Sequence, residues 1–326
     1  MRLLFHVLKK YLPWLIAIVI FHQLFTQYPP AQIWEACKQA NLIGLMIFMF
    51  FYFMLVLWLD CWGHARVFTR FHAPMGTLEL VPVRLASYVI MLINYGAGQG
   101  VWAYFLKKKK SIPFFKAMGI LGFVIVLDFY LITSMAFLGS LLAPLQIENV
   151  SLNQWVQLLM LIATIFIITI YLLRKKILKI IPNRWEKLHD LFLTLKEARI
   201  KDLVATLLLR LPLHLTFIVA IYSGIHFFHA HIPLTSLIAS IPLIYLIGSM
   251  PITPGGLGTT QAAFVILLKN DLISPAVTAG VISPEEILLS MSLLWAFSNY
   301  LYKASFGFVF FKKYLSPSRQ IPETLA

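Results

Sequence analysis

Charge is what this sequence has least of. Asp, Glu, Lys and Arg make up 12% of its 326 residues, against about 25% in a soluble domain. Acidic residues are the scarcer sign, 13 against 27 Lys and Arg, which leaves a formal net charge of +14. No polar stretch reaches domain length, so no soluble domain is expected. Only two cysteines occur, Cys37 and Cys61. They fall toward opposite ends of one predicted helical region, too far apart to pair, and form no metal-ligand pattern. Also missing are a nucleophile motif, a zinc signature, a P-loop and a dinucleotide fingerprint, since the Gly-x-Gly elements lack a strand–turn–helix setting. No catalytic residue, metal or cofactor follows from the sequence.

What the chain has in excess is apolar surface. Its hydrophobic fraction is 60% and its mean hydropathy is +0.82. No soluble fold of this length hides so much, so lipid is the solvent. The expected class is an all-α, polytopic protein of the cell membrane, 1–326 forming a single integral membrane domain. In a soluble protein the basic excess would point to nucleic acid. Here it is the ordinary bias of basic residues toward cytoplasmic loops and anionic headgroups. Membrane lipids, anionic phospholipid first, are the expected partners; nucleic acid is not, and a homo-oligomer is left open. The basic Met1–Lys10 before apolar Leu12–Phe25 has the outline of a signal peptide. Thr26-Gln-Tyr-Pro-Pro is a poor cleavage site, so a first membrane anchor is the better reading.

The most informative stretch is Pro251-Ile-Thr-Pro254-Gly255-Gly256-Leu-Gly258-Thr-Thr-Gln261. It cannot easily continue a helix, yet its flanks are as apolar as a bilayer. A lipid-exposed break would strand backbone amides and carbonyls, so this one is covered by protein or lines a wet cavity. Six full spans are expected, at Leu12–Phe25, Leu42–Trp62, Ala117–Leu142, Trp155–Leu173, Leu203–Phe228 and Ile287–Phe311. Two further apolar regions, Leu78–Leu106 and Ser236–Leu268, are interrupted. Placing Lys9, Lys10, Arg66, Arg70, Lys107 to Lys110, Arg174 to Lys176 and Lys312-Lys313 on the cytoplasmic side puts both termini inside. It also makes each interrupted region enter and leave on one side. The first would be a re-entrant hairpin bent at Asn94-Tyr-Gly96-Ala-Gly98-Gln99-Gly100, the second one bent at Pro254-Gly-Gly from the opposite face. The halves 1–150 and 151–326 then read as an inverted-topology repeat with the site between its hairpins. Between the halves, Asn183 to Ile200 carries Trp185, Leu188, Leu191, Leu195 and Ala198 at helical spacing. It reads equally as an amphipathic surface helix or a plain connector.

Ionisable residues inside a membrane are costly, which makes each a candidate for function. Arg84 and Arg210 qualify, although both stand near cytoplasmic ends and could snorkel. His214, one turn beyond Arg210, reads as a packed neutral imidazole. Asp128 lies mid-helix and needs an ionic partner or a proton. Asn299 and Lys303 are four apart on one helix face, and Lys303 would meet a lipid phosphate or snorkel to the interface. His226, His229 and His231 read as a surface loop before a metal site. The backbone amides around Asn94, Gly96, Gly98 and Gln99, and around Pro254, Gly255, Gly256, Gly258 and Gln261, would suit an anion.

The arrangement resembles the lysylphosphatidylglycerol synthase transmembrane-region family over nearly the whole chain. The resemblance is strongest at Pro251 to Gln261, similar to the family's late Pro/Gly-rich signature, and continues at the Asn94 to Gly100 bend. It implies a flippase-type integral membrane protein. Two departures stand out: Gln261 where the family often has Glu, and Gln99, with no following Arg, where Pro and Arg are common. The sequence shows no synthase domain, so lysyl transfer is not expected. The expected function is therefore movement of a phospholipid or lipid-linked substrate across the cytoplasmic membrane. The alternatives are a small-solute secondary transporter coupled through Asp128, and an intramembrane lipid-modifying enzyme.

Overall fold

The computed structural model describes residues 2–147, 150–182, 185–250 and 252–315. Helix accounts for nearly all of them. Among the described residues four helices are long and apolar enough to cross a bilayer: α3 (Leu42–Phe71), α6 (Phe114–Leu142), α7 (Asn153–Ile180) and α9 (Ile200–Ile225). The protein is thus a multi-pass membrane protein. The other two expected spans correspond to α1 (Arg2–Gln27), whose apolar part Tyr11–Gln27 is shorter, and to α13 (Pro284–Leu315). The latter has the length, but Asn299 and Lys303 interrupt its apolar run. Burial separates the long helices. Only 6% of the most apolar stretch of α7 is buried against 44% for α6, so α7 lies at the lipid-facing edge and α6 in the interior.

Each interrupted region folds as two short helices packed side by side. The first comprises α4 (Thr77–Met91) and α5 (Tyr95–Lys110). None of its members reaches the roughly 20 residues a crossing requires. Asn94 caps α5 by accepting a hydrogen bond from the Ala97 amide at 2.8 Å, which satisfies one of the free donors at a helix start. The break therefore lies at Leu92–Asn94, not across Asn94 to Gly100, and Gly96, Gly98 and Gly100 are helical. Gly98 has a different use: a Cβ there would run into Met91 on the facing helix, so the residue permits the close approach of α4 and α5. Glu79 at the start of α4 pairs with Lys110 at the end of α5 and ties the open end of the hairpin.

The second pair is α10 (Leu234–Ser249) and α11 (Thr259–Leu268). Its break is the expected one. Pro254–Gly256 form a 3-10 turn, and Gly255, Gly256 and Gly258 take φ of 61°, 74° and 83°, a region side chains with a Cβ rarely enter. Its open end is tied by a two-residue bridge, in which His231 and Ile273 exchange backbone hydrogen bonds at 2.8 and 2.9 Å.

Packing partners recur along the chain. α3 packs on α4 as α9 does on α10, α5 on α6 as α11 does on α13, and α4 on α13 as α10 does on α6. Glycines carry the last two contacts: a Cβ on Gly307 of α13 would meet the Leu85 carbonyl of α4, and one on Gly139 of α6 the Ile238 carbonyl of α10. The amphipathic α8 (Glu186–Glu197) lies against α6, with Gly119 admitting the Leu191 carbonyl. The short α2 (Pro30–Gln39) lies against α13. Asn183 and Arg184 fall outside the described residues, as do Pro251 and Arg319. The apolar core is correspondingly double. One part surrounds α4 and α5, the other α10 and α11, and Tyr302 packs against both.

Three small elements escape the sequence pattern: α2, α12 (Pro275–Thr278) and a two-residue β-hairpin pairing Gln146 with Ser151 and Ile147 with Val150. Because of α2, the cysteines do not share one helical region. Cys37 is on α2 and Cys61 on α3; both are free and buried.

Candidate functional site

At the centre stands Arg210 on α9, 3% exposed. Its Nε and Nη2 donate to the two carboxylate oxygens of Asp128 on α6, each at 2.8 Å. Its Nη1 donates to Asp60 Oδ1 on α3 at 2.9 Å. The fork of the guanidinium matches the carboxylate in a way a lysine could not. The other Asp60 oxygen is 2.6 Å from Arg84 Nε on α4. Thus two carboxylates and two guanidiniums alternate across four helices. Alternation is what makes the arrangement tolerable, since an unpaired charge in this setting would cost several kcal/mol (about 3–5 when one partner is lost).

Two histidines and an aromatic pair flank this chain of ion pairs. His64 Nδ1 donates to the Asp60 carbonyl at 2.8 Å, and His214 Nε2 donates to Asp128 Oδ1 at 3.0 Å. The Arg84 guanidinium lies over Trp102, 4.1 Å from the ring centroid, and 5.1 Å from that of Tyr88, a favourable place for a desolvated cation. Gly63 faces Arg210: a Cβ there would sit 3.2 Å from its Cδ, so a larger residue would push the side chain off its partners. The Gln99 Oε1 and Trp102 Nε1 atoms, one turn apart on α5, are buried with no hydrogen-bond partner among the described residues.

Depth follows from helix geometry. Arg70 at the end of α3 binds Asp202 at the start of α9 at 2.8 and 3.0 Å, which sets the two helices antiparallel with those ends level. At 1.5 Å per residue, Asp60 lies about 15 Å and Arg210 about 12 Å in from that level. Asp128 lies midway along α6. The ion pairs are therefore near the middle of the helices.

Both hairpins reach this centre. From the first come Arg84, Tyr88 and Trp102. From the second comes Tyr245 on α10, whose ring packs edge-on against His214 at 5.8 Å. Tyr95 stands at the tip of α5. Tyr95 is 55% and Tyr245 41% exposed. Both tyrosines are accessible, one on each hairpin, and Tyr245 meets the ion cluster through His214. α13 runs alongside. Its Tyr300 hydroxyl is where a Gly255 Cβ would come within 2.5 Å, and one turn on, Lys303 Nζ is 5.5 Å from the Tyr88 ring centroid. So α13 runs past both chain breaks.

The structure thus unites Arg84, Asp128 and Arg210, sets Lys303 beside them, and leaves Asn299 half-buried one turn before Lys303. Snorkelling by the two arginines is overturned, because both are buried and paired. Asn94 and Gly96 are accessible at the first tip, while Gly98 and Gln99 are buried in the α4–α5 contact. Gln261 is 2% exposed, and its Oε1 accepts from the Gly258 amide at 2.7 Å: it caps α11 and holds the turn shut. Pro254 and Gly255 stay partly open, Gly256 and Gly258 do not. His226 and His231 pack edge-on against Tyr222, away from the ion pairs. A separate concavity of about 440 Å³, lined by Tyr104, Lys107, Phe115, Lys187 and Asp190, lies between α5, α6 and α8, also away from the ion pairs.

Sequence reasoning passed over Asp60 and His64. The signal was present: Asp60-Cys-Trp-Gly-His64 places an acid and an imidazole four apart on one face of an apolar helix. Asp60 was lost because it sits next to the end of the predicted Leu42–Trp62 span, where a carboxylate attracts no notice.

Buried ion pairs beside two broken helical pairs make this a polytopic membrane protein with a charged interior. The chain belongs to the family described as the lysylphosphatidylglycerol synthase TM region, which matches residues 11–283. The match takes in both hairpins and the four charged residues of the ion-pair chain, and ends immediately before α13. The family is associated with lipid translocation. Comparison with curated proteins and with solved structures gave no match.

Proposed function

We propose that this protein translocates a phospholipid or lipid-linked substrate across the cytoplasmic membrane, with both termini on the cytoplasmic side. In this reading the two hairpins are the re-entrant members of an inverted repeat, 1–150 and 151–326. The recurrent packing of the two halves supports that. So do the ties at Glu79–Lys110 and His231–Ile273, which keep the entry and exit of each hairpin together. The observation that carries the function is the pair of accessible tyrosines, Tyr95 and Tyr245, one on each hairpin, above a buried cluster of paired charges; in this reading they line a cleft between the hairpins. A headgroup entering there exchanges water for tyrosine hydroxyls and fixed charge, while acyl chains remain in lipid. Half-helices ending at such a cleft are the arrangement by which transporters supply polar backbone at mid-membrane. Asp128 is held by Arg210 and His214 rather than free to shuttle protons.

The test is lipid transfer by purified protein in liposomes, read with a headgroup-labelled phospholipid and a membrane-impermeant quencher. Gly255→Val forces a Cβ into the Tyr300 hydroxyl at a φ of 61° and is expected to abolish transfer. Wild-type transfer by a folded Gly255→Val protein would sink the proposal.

A further inference from the structure

Four of the five ionised side chains around the cleft are used up on one another. Asp128 takes both arms of Arg210. Asp60 is shared between Arg210 and Arg84. The fifth is Lys303. No carboxylate lies within 4.0 Å of its Nζ among the described residues, and its neighbours are the Tyr88 ring and, further off, Arg84 and Asp60. The polar and titratable groups of the site are Asp60 and His64 from α3, Arg84 and Tyr88 from α4, Tyr95 and Gln99 from α5, Asp128 from α6, Arg210 and His214 from α9, and Tyr245 from α10. Three cations face two carboxylates, which leaves one positive charge in excess.

We infer that Lys303 is the anion-receiving group of the cleft and that it selects a lipid carrying one net negative charge through its phosphodiester. This rests on the translocation reading and says which substrate class the site takes. The arginines cannot serve that role without abandoning a carboxylate in the protein interior, which costs more than a new phosphate contact returns. The ammonium can, because it gives up only a ring face. Lys303 is half-buried rather than sealed, and it stands one turn from Tyr300, beside the second break. A zwitterionic headgroup brings its own cation next to the phosphate, so it leaves the excess charge uncompensated. A phosphodiester with an uncharged headgroup neutralises it. Selection therefore follows from net charge, with the tyrosines supplying neutral hydrogen bonds to either kind.

The experiment measures two quantities on wild type, Lys303→Gln and Lys303→Arg. One is equilibrium binding of phosphatidylglycerol, phosphatidylcholine and inorganic phosphate in detergent. The other is transfer of the labelled forms of the two lipids in liposomes. Wild type is expected to bind phosphatidylglycerol about tenfold or more tightly than phosphatidylcholine, the worth of one charge-assisted hydrogen bond. Lys303→Gln should lose that preference and Lys303→Arg keep it. If Lys303→Gln fails to fold, Lys303→His replaces it: the preference should then be present at pH 5.5 and absent at pH 8.5, since its imidazole titrates between them. A preference unchanged in Lys303→Gln, or independent of pH in Lys303→His, overturns the inference. Inorganic phosphate competing as well as the lipid would overturn the lipid assignment and leave a free-anion site. Absence of transfer in wild type counts against translocation, while the binding arm still decides Lys303.

Discussion

Arg210 joins three helices through one planar group, and its energetics are those of a keystone. Removing it leaves Asp60 with Arg84 as its remaining cation and Asp128 with only His214. Arg210→Met is therefore expected to destabilise the protein by about 3–5 kcal/mol, read as a large fall in thermal unfolding temperature in detergent. Asp128→Asn should cost less, because it leaves Arg210 with Asp60 and His214 with a carbonyl oxygen to donate to. The order matters more than the values: if Asp128→Asn proved the more damaging, Arg210 would not be the organising group. Arg84, Asp128 and Arg210 were legible from the sequence as costly intramembrane charges. Their pairing was not, because the partners are separated by 82 and 150 positions. No local pattern encodes such distances.

Among the elements, the broken helices were the most legible and their details the least. Proline and glycine in an apolar run mark an interruption whatever surrounds them. Which glycine makes the turn and which makes room depends on the neighbour. Gly98 and Gly100 look alike in sequence, but a Cβ on the first strikes Met91 and one on the second meets nothing within 4 Å. Gly98→Val should thus destabilise by about 1–3 kcal/mol through overpacking. Gly100→Ala should be neutral or slightly stabilising, since alanine is the better helix former. Equal effects in denaturant unfolding would refute this assignment. Gln261 behaves the same way. As a polar residue in a signature it invites a binding role, yet its oxygen caps α11. Gln261→Glu, which keeps that oxygen, should preserve stability, and Gln261→Ala should lose about 1 kcal/mol; comparable losses from both would argue that the amide is read by something else.

At the scale of the whole molecule, the inverted arrangement predicts sidedness. In a background lacking Cys37 and Cys61, single cysteines at Lys107 and His231 should react with an impermeant thiol reagent from opposite faces of sealed vesicles. Labelling of both from one face would end the inverted-repeat reading. A cysteine pair replacing Glu79 and Lys110 should be bridged by a short bis-maleimide, whereas a simple crossing would hold those positions a bilayer apart. What the sequence determined by itself is the solvent, the helical class, the two interruptions and the family, because hydropathy, charge bias and Pro/Gly chemistry act within a few residues of where they are written. What only the tertiary structure decided is the chain of ion pairs, the place of Asp60 and His64 beside Arg210 and Arg84, the capping role of Gln261 and the solitary position of Lys303. Each of these depends on which helices meet and how closely. In a protein whose outer face is dissolved in lipid, that choice is made by small residues such as Gly63, Gly139 and Gly307, which let two backbones or a backbone and a buried arginine come together.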